Sequence, residues 1–154
     1  MKRTLTLLAI SVLTAASTTF ILASPAAAAT CNSSVYKDTF TPYPGWPGHY
    51  MLAEVPTYGG STNCAMGRGA NSHAVVVLQN TLNDCFGLSE KLEEDGVFGG
   101  RTEAMLKEAQ RLTGATVDGV YGPNTRDRFN INYRWAAYTS ASPPTKVCGR
   151  VQQM

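Results

Sequence analysis

Asp95-Gly96-Val97-Phe98-Gly99-Gly100-Arg101-Thr102 recurs as Asp118-Gly119-Val120-Tyr121-Gly122-Pro123-Asn124-Thr125, 23 residues further along. Asp, Gly, Val, an aromatic, Gly and Thr keep their order without a gap, and such repetition marks a duplicated structural unit. Two copies are too few for a solenoid, so the phrase predicts a small domain built from a repeated loop-and-helix element. Asp-Gly is a turn dipeptide: the Asp carboxylate accepts from backbone N–H groups ahead of it, and Gly96 or Gly119 takes a positive φ without steric cost. Gly99 and Gly122 permit a second reversal, so both members of Val97-Phe98 and of Val120-Tyr121 are expected to point inward. Thr102 and Thr125 stand where a helix N-cap is expected.

Three helices follow from the pattern around the phrase. Ser72 is a plausible cap for the first, in which Val75, Leu78 and Leu82 form an apolar stripe with Ala74, and Gly87 is a natural stop. Leu88 to Glu94 is a charged connector. Thr102 opens the second helix, with Met105, Ala109 and Leu112 as its stripe, joined by Leu106 and ended by Gly114. Thr125 opens a shorter third helix anchored by Phe129.

The N-terminus has the layout of a secretory leader. Lys2-Arg3 precede an apolar run from Leu5 to Leu22, followed by Ser24-Pro25 and Ala26 to Ala29. Cleavage is expected after Ala29, with no membrane span left behind; an uncleaved anchor is the alternative. Losing Lys2 and Arg3 takes 13 basic residues to 11, against 11 acidic ones. A neutral chain lacks the basic stripe that phosphate neutralisation demands, which argues against nucleic acid as a partner.

Cys31, Cys64, Cys85 and Cys148 are an even set in a small exported chain, which implies disulfides with three possible connectivities. The favoured pairing is Cys64 with Cys85, flanking one helix, and Cys31 with Cys148, tying two irregular ends. A zinc site is the competing use, but no Cys-x-x-Cys pair occurs.

From Cys31 to about Gly69, Pro42, Pro44, Pro47 and Pro56 alternate with glycines, and neither helical nor strand periodicity survives. Tyr36, Phe40, Tyr43, Trp46, Tyr50 and Tyr58 make this stretch too aromatic for a linker, so it is expected to pack on the helices. Ile131, Tyr133, Trp135 and Tyr138 lead into a loop with Pro143-Pro144. The expected organisation is a signal peptide over 1–29, an irregular aromatic segment over 30–69, a helical domain over 70–131 and an extension over 132–154. The fold class is mainly α: a small three-helix bundle with two equivalent Asp-Gly loops, flanked by irregular disulfide-tied segments.

Ala74-Val75-Val76-Val77-Leu78-Gln79 with Leu82-Asn83, the first phrase followed by Gln110, and the second phrase with its Gly-Pro-x-Thr ending together resemble a bacterial family. It is the three-helix peptidoglycan-binding domain family of the kind associated with zinc carboxypeptidases. The resemblance covers roughly residues 64 to 130, with Ala109 where a bulky Phe is usual and Gly100 where Pro is commoner. It implies non-catalytic binding of peptidoglycan or a related cell-wall polymer. Most such domains target an enzyme to the wall; with no room for one here, the secreted protein is expected to act alone, or as an adaptor or competitor at the wall. A competing expectation is an interaction or inhibitor protein that captures an extracellular protein partner through its N-terminal aromatics.

Within the phrase, Asp95, Gly96, Gly99, Thr102, Asp118, Gly119, Gly122 and Thr125 are read as structural loop positions. Recognition is assigned instead to Arg101, Tyr121, Asn124 and Arg126, as donors beside two helix N-termini. Catalysis finds little support: His49 and His73 are the only histidines, and no His-Glu-x-x-His or Gly-x-Ser-x-Gly occurs. No metal or cofactor is expected. Glu90, Glu93, Glu94 and Asp95 read as a solvated acidic run.

Overall fold

The computed structural model describes residues 28–42, 50–88, 90–135 and 147–150. The leader through residue 27, Tyr43, Trp46, Tyr138 and Pro143-Pro144 lie outside the described residues. Three helices are present as expected: α1 (His73–Cys85), α2 (Gly100–Thr113) and α3 (Pro123–Arg128). The flanking segments, expected to be irregular, are strands. In chain order they are β1 (Ala29–Thr30), β2 (Ser33–Pro42), β3 (Tyr50–Thr57), β4 (Cys64–Ala65), β5 (Asn130–Trp135) and β6 (Val147–Arg150). The fold is therefore α+β rather than mainly α.

β2, β3, β5 and β6 form an antiparallel sheet in that spatial order, while β1 pairs in parallel with β4. The sheet thus joins the N-terminal segment to the C-terminal one, with Ala53 opposite both Lys37 and Tyr133. Pro56 hid the strand character of β3. It lies beyond Met51–Ala53, where β5 pairs with β3, so β3 has a sheet partner there on one side only, a position that tolerates proline.

α1 packs against β2, β3, β5 and β6 and also against α2. Its buried set therefore exceeds one stripe: Val75, Leu78 and Leu82 are joined by Val77, Gln79, Thr81 and Asn83. A helix covered on two faces is apolar or hydrogen-bonded around most of its circumference. The core it organises includes Val55, Met66, Phe98, Leu106, Tyr121 and Phe129, and Phe86 packs on Phe129 with ring centroids 4.8 Å apart. In α2, Leu106 and Ala109 are buried as expected, but Leu112 is 61% exposed. Tyr36 and Tyr58, expected to pack on the helices, are half exposed.

The disulfides are Cys31–Cys64 and Cys85–Cys148, with Cα separations of 5.1 and 5.5 Å. The favoured pairing was different, and helix geometry explains the correction. Cys31 sits at the N-terminal end of α1, where its carbonyl accepts from Ser72 Oγ at 3.3 Å, and its N–H donates to Ala65 O at 3.0 Å. Cys85 is at the far end, about 20 Å away at 1.5 Å rise per residue. A disulfide cannot span that length. One bridge therefore locks the β1–β4 corner and the other fastens β6 to the C-terminus of α1. With sequence separations of 33 and 63 residues, each bridge is expected to stabilise the fold by about 4 kcal/mol through chain entropy. Replacing Cys31 and Cys64 together by Ser is accordingly expected to cost about 4 kcal/mol in urea unfolding. An unchanged midpoint would contradict the role given to this bridge.

Candidate binding face at two latched loops

Each Asp-Gly loop is held by one buried glutamine from the helix before it. Gln79, on α1, donates through Nε2 to Asp95 Oδ1 at 2.9 Å, to Val97 O at 3.2 Å and to Thr102 Oγ1 at 3.4 Å. Its Oε1 accepts from Gly96 N–H at 2.9 Å. Gln110, on α2, repeats the set: Asp118 Oδ1 at 2.8 Å, Val120 O at 3.0 Å, Thr125 Oγ1 at 3.0 Å, and Gly119 N–H donating to Oε1 at 2.9 Å. The Asp carboxylate closes the turn by accepting from Val97 N–H or Val120 N–H, at 2.9 and 2.8 Å. The two amide protons serve three acceptors, and the amide oxygen takes the one N–H that the turn buries. A buried polar side chain is tolerable only when it is satisfied in this way.

The latch corrects the expected role of the threonines. The N-caps of α2 and α3 are Gly99 and Gly122, neither with a side-chain cap bond, and Thr102 and Thr125 lie inside the first turn. Both are buried, and their hydroxyls donate back to Val97 O and Val120 O. Ser72 occupies the N-cap position of α1, but its hydroxyl serves Cys31 rather than the helix. Gly96 and Gly119 take φ of 77° and 74°, as the turn requires. At Gly119 a Cβ would approach Lys107 Cε to 2.7 Å and Glu103 Cγ to 2.9 Å, so two side chains of α2 lie directly against the turn.

The apolar pair in each phrase is split. Phe98 and Tyr121 are buried, while Val97 and Val120 are 45% and 40% exposed. A backbone segment after β4 explains the orientation, because it pairs with both loops. Met66 exchanges hydrogen bonds with Tyr121 at 2.8 and 2.9 Å, while Phe98 N–H donates to Ala70 O at 2.9 Å and Gly69 N–H to Phe98 O at 3.0 Å. With aromatic backbones fixed to this strap, alternation turns the valines to solvent.

The four predicted recognition residues separate into two groups. Tyr121 is buried against Phe129 and Arg126 is 9% exposed, so neither is a surface donor. Arg126 Nη1 donates to Thr62 O at 2.8 Å and Thr62 Oγ1 at 3.0 Å, which ties α3 to the turn before β4. Burial pushes the Tyr121 phenol well up, and its hydroxyl has no hydrogen-bond partner among the described residues. Arg101 and Asn124 are exposed. The Asn124 side-chain oxygen accepts from Thr116 N–H at 3.0 Å. Arg101 pairs with Glu90 at 3.1 Å, both side chains lying more than 70% in solvent.

Arg101 borders a depression of about 280 Å³ whose other lining residues are Leu88, Glu90, Ala104, Met105 and Glu108. Asn83 gives the connector from Leu88 to Glu94 its shape: Leu92 N–H donates to Asn83 Oδ1 at 2.7 Å and Asn83 Nδ2 donates to Leu92 O at 3.0 Å. Elsewhere, Ser34 Oγ and His73 Nε2 both engage Glu54 Oε1, at 2.7 and 3.0 Å. The carboxylate stands between hydroxyl and imidazole, an order unlike the serine–histidine contact that activates a nucleophile. Among the described residues no group of three His, Cys, Asp or Glu side chains could hold a metal ion, and no helix is long and apolar enough to cross a membrane.

Residues 71–129 match the family model described as "Putative peptidoglycan binding domain", the family whose motifs the sequence displays. The matched region contains both glutamines, both loops and all three helices, but not the sheet or β4. Neither a search of curated proteins nor one of solved structures found a match.

Three outcomes follow for the latches. Gln79→Ala or Gln110→Ala leaves a buried glycine N–H unpaired, and each is expected to cost about 3 kcal/mol in urea unfolding; Gln→Glu is expected to cost more at neutral pH, because it sets a carboxylate against the Asp oxygen. Tyr121→Phe, which installs the residue of the first copy, is expected to leave stability unchanged or raise it, since it removes an unpartnered buried hydroxyl. The third concerns acid. The Gln79 amide, then the Val97 N–H, holds Asp95 below the usual carboxylate range, and Lys107, then Arg68, does so for Glu103. A depressed folded pKa contributes stability above the unfolded value and loses it as pH falls through the folded one. The urea midpoint is therefore expected to decline below about pH 4, and to decline less in Gln79→Ala. A midpoint equal at pH 7 and pH 3 would contradict the carboxylate contribution.

Proposed function

We propose that the protein is a secreted, non-catalytic binder of cell-wall peptidoglycan, and that its domain recognises the wall through exposed residues at the mouths of the two loops. The family match over residues 71–129 carries this reading. Its support from the geometry is the division of labour within the repeat. The Asp, Gly and Thr residues shared by both copies are consumed in holding the loops, whereas Arg101 and Asn124, which differ between copies, stay at the surface. A pair as exposed as Arg101 and Glu90 contributes at most about 1 kcal/mol, so an incoming carboxylate displaces Glu90 at little cost. Secretion is supported by the leader pattern and by two disulfides, which persist in oxidising compartments.

The alternative, capture of an extracellular protein by the N-terminal aromatics, has its support in the exposure of Tyr36 and Tyr58. Deleting that segment is not a usable test, because Ala53 and Val55 of β3 belong to the core. Surface substitution is the discriminating experiment. The purified protein is expected to cosediment with insoluble peptidoglycan, Arg101→Ala to weaken cosedimentation several-fold, and Tyr36→Ser with Tyr58→Ser to leave it unchanged. A protein that remains in the supernatant at every salt concentration sinks the wall-binding reading. Release of soluble wall fragments in the same tube would overturn its non-catalytic part.

A further inference from the structure

We infer that the depression beside Arg101 is a subsite for peptide rather than glycan, accepting a short segment that ends in a free carboxylate and carries methyl-sized side chains. The inference rests on the wall-binding reading and concerns which part of the polymer is held. Leu88, Ala104 and Met105 supply an apolar floor, and Arg101, Glu90 and Glu108 supply a charged rim. A volume of about 280 Å³ suits one or two small residues. No aromatic side chain lines it, so it offers no platform for the face of a sugar ring; Phe98 and Tyr121, the aromatics of the repeat, are buried.

The charges on the rim differ in how firmly they are committed. Glu108 is paired with Arg111 one turn along α2. Glu90 holds Arg101 only through a contact that is open to solvent on both sides. A guanidinium presents a planar fork that matches a carboxylate with two parallel hydrogen bonds. A ligand carboxylate that takes this fork replaces one exposed acid by another of better geometry, while its methyl groups cover Met105 and Ala104. An amide or a hydroxyl in the same place brings no negative charge and only one oxygen to the fork, so it forms no ion pair and leaves Glu90 where it is. Carboxylate-ended peptide, not uncharged acetamido sugar, is the chemistry that fits both the rim and the floor.

The full-length secreted protein, isotopically labelled, is titrated by NMR with N-acetyl-D-alanyl-D-alanine, with its C-terminal amide, and with an uncharged N-acetylglucosamine tetramer. The free-acid peptide is expected to shift the Leu88, Arg101 and Met105 amides saturably, and the amide form to bind about tenfold more weakly, the loss of one charge-assisted pair. Arg101→Ala is expected to abolish those shifts and Arg101→Lys to retain part of the affinity. Glu90→Gln, which removes the internal competitor, is expected to tighten binding a few-fold. Equal affinity for acid and amide, or shifts at these residues with the sugar tetramer alone, overturns the inference. Parallel cosedimentation separates the two levels: a protein that pellets with whole peptidoglycan yet ignores the free-acid peptide overturns the peptide subsite alone, whereas failure to pellet overturns the wall-binding reading beneath it.

Discussion

A primary amide buried in a protein must find acceptors for two protons and a donor for its oxygen, and that requirement shapes this fold twice. Gln79 and Gln110 each meet it by gathering an Asp carboxylate, a Val carbonyl, a Thr hydroxyl and a Gly N–H. The Asp, Val and Thr groups also bond one another within the loop, while the Gly N–H is met by the glutamine oxygen, so glutamine and loop specify each other. Because Asp95 lies 16 residues beyond Gln79 and Asp118 only 8 beyond Gln110, the same endpoint is reached through connectors of different length. The conserved geometry belongs to the latch, not to the path that leads to it.

Around the latches the rest of the chain acts as a brace. α1 carries Gln79 on the face toward the loop and Val77 and Thr81 among its further buried residues, with the four-stranded sheet packed against it. The Cys31–Cys64 bridge positions the strap that runs from β4 into α1, and that strap bonds both aromatic backbones. The Cys85–Cys148 bridge fastens β6 to the other end of α1. Three short helices alone bury little surface, and sheet and bridges supply what a domain of that size lacks.

The helices were legible because Val75, Leu78, Leu82, Leu106 and Ala109 carry the period that packing imposes, and Gly114 closes α2 in the left-handed conformation its residue type favours. The repeat was legible as a repeat. What it does was only half legible: a glutamine beside an apolar residue on the buried face of two successive helices, Leu78-Gln79 and Ala109-Gln110, is the signal that the loops are held from behind. The sheet was not legible, since β3 carries Glu54 and Pro56 within it and its second partner, β5, lies far along the chain. Disulfide connectivity was set by which end of α1 each cysteine occupies, a quantity that spacing along the chain does not contain. Arg126 resembled a surface donor by residue type, and only the approach of Thr62 shows it to be internal.

The account depends most on two loop amides being as protected as core amides because a side chain, not a strand, covers them. Native-state hydrogen exchange of Gly96 and Gly119 measures this directly. Both amides are predicted to exchange only as slowly as those of α1 around Leu78 and Leu82, through the largest unfolding opening. Exchange at the rate of an exposed turn such as Gly59-Gly60, at either glycine, would contradict the claim that the glutamines hold the loops.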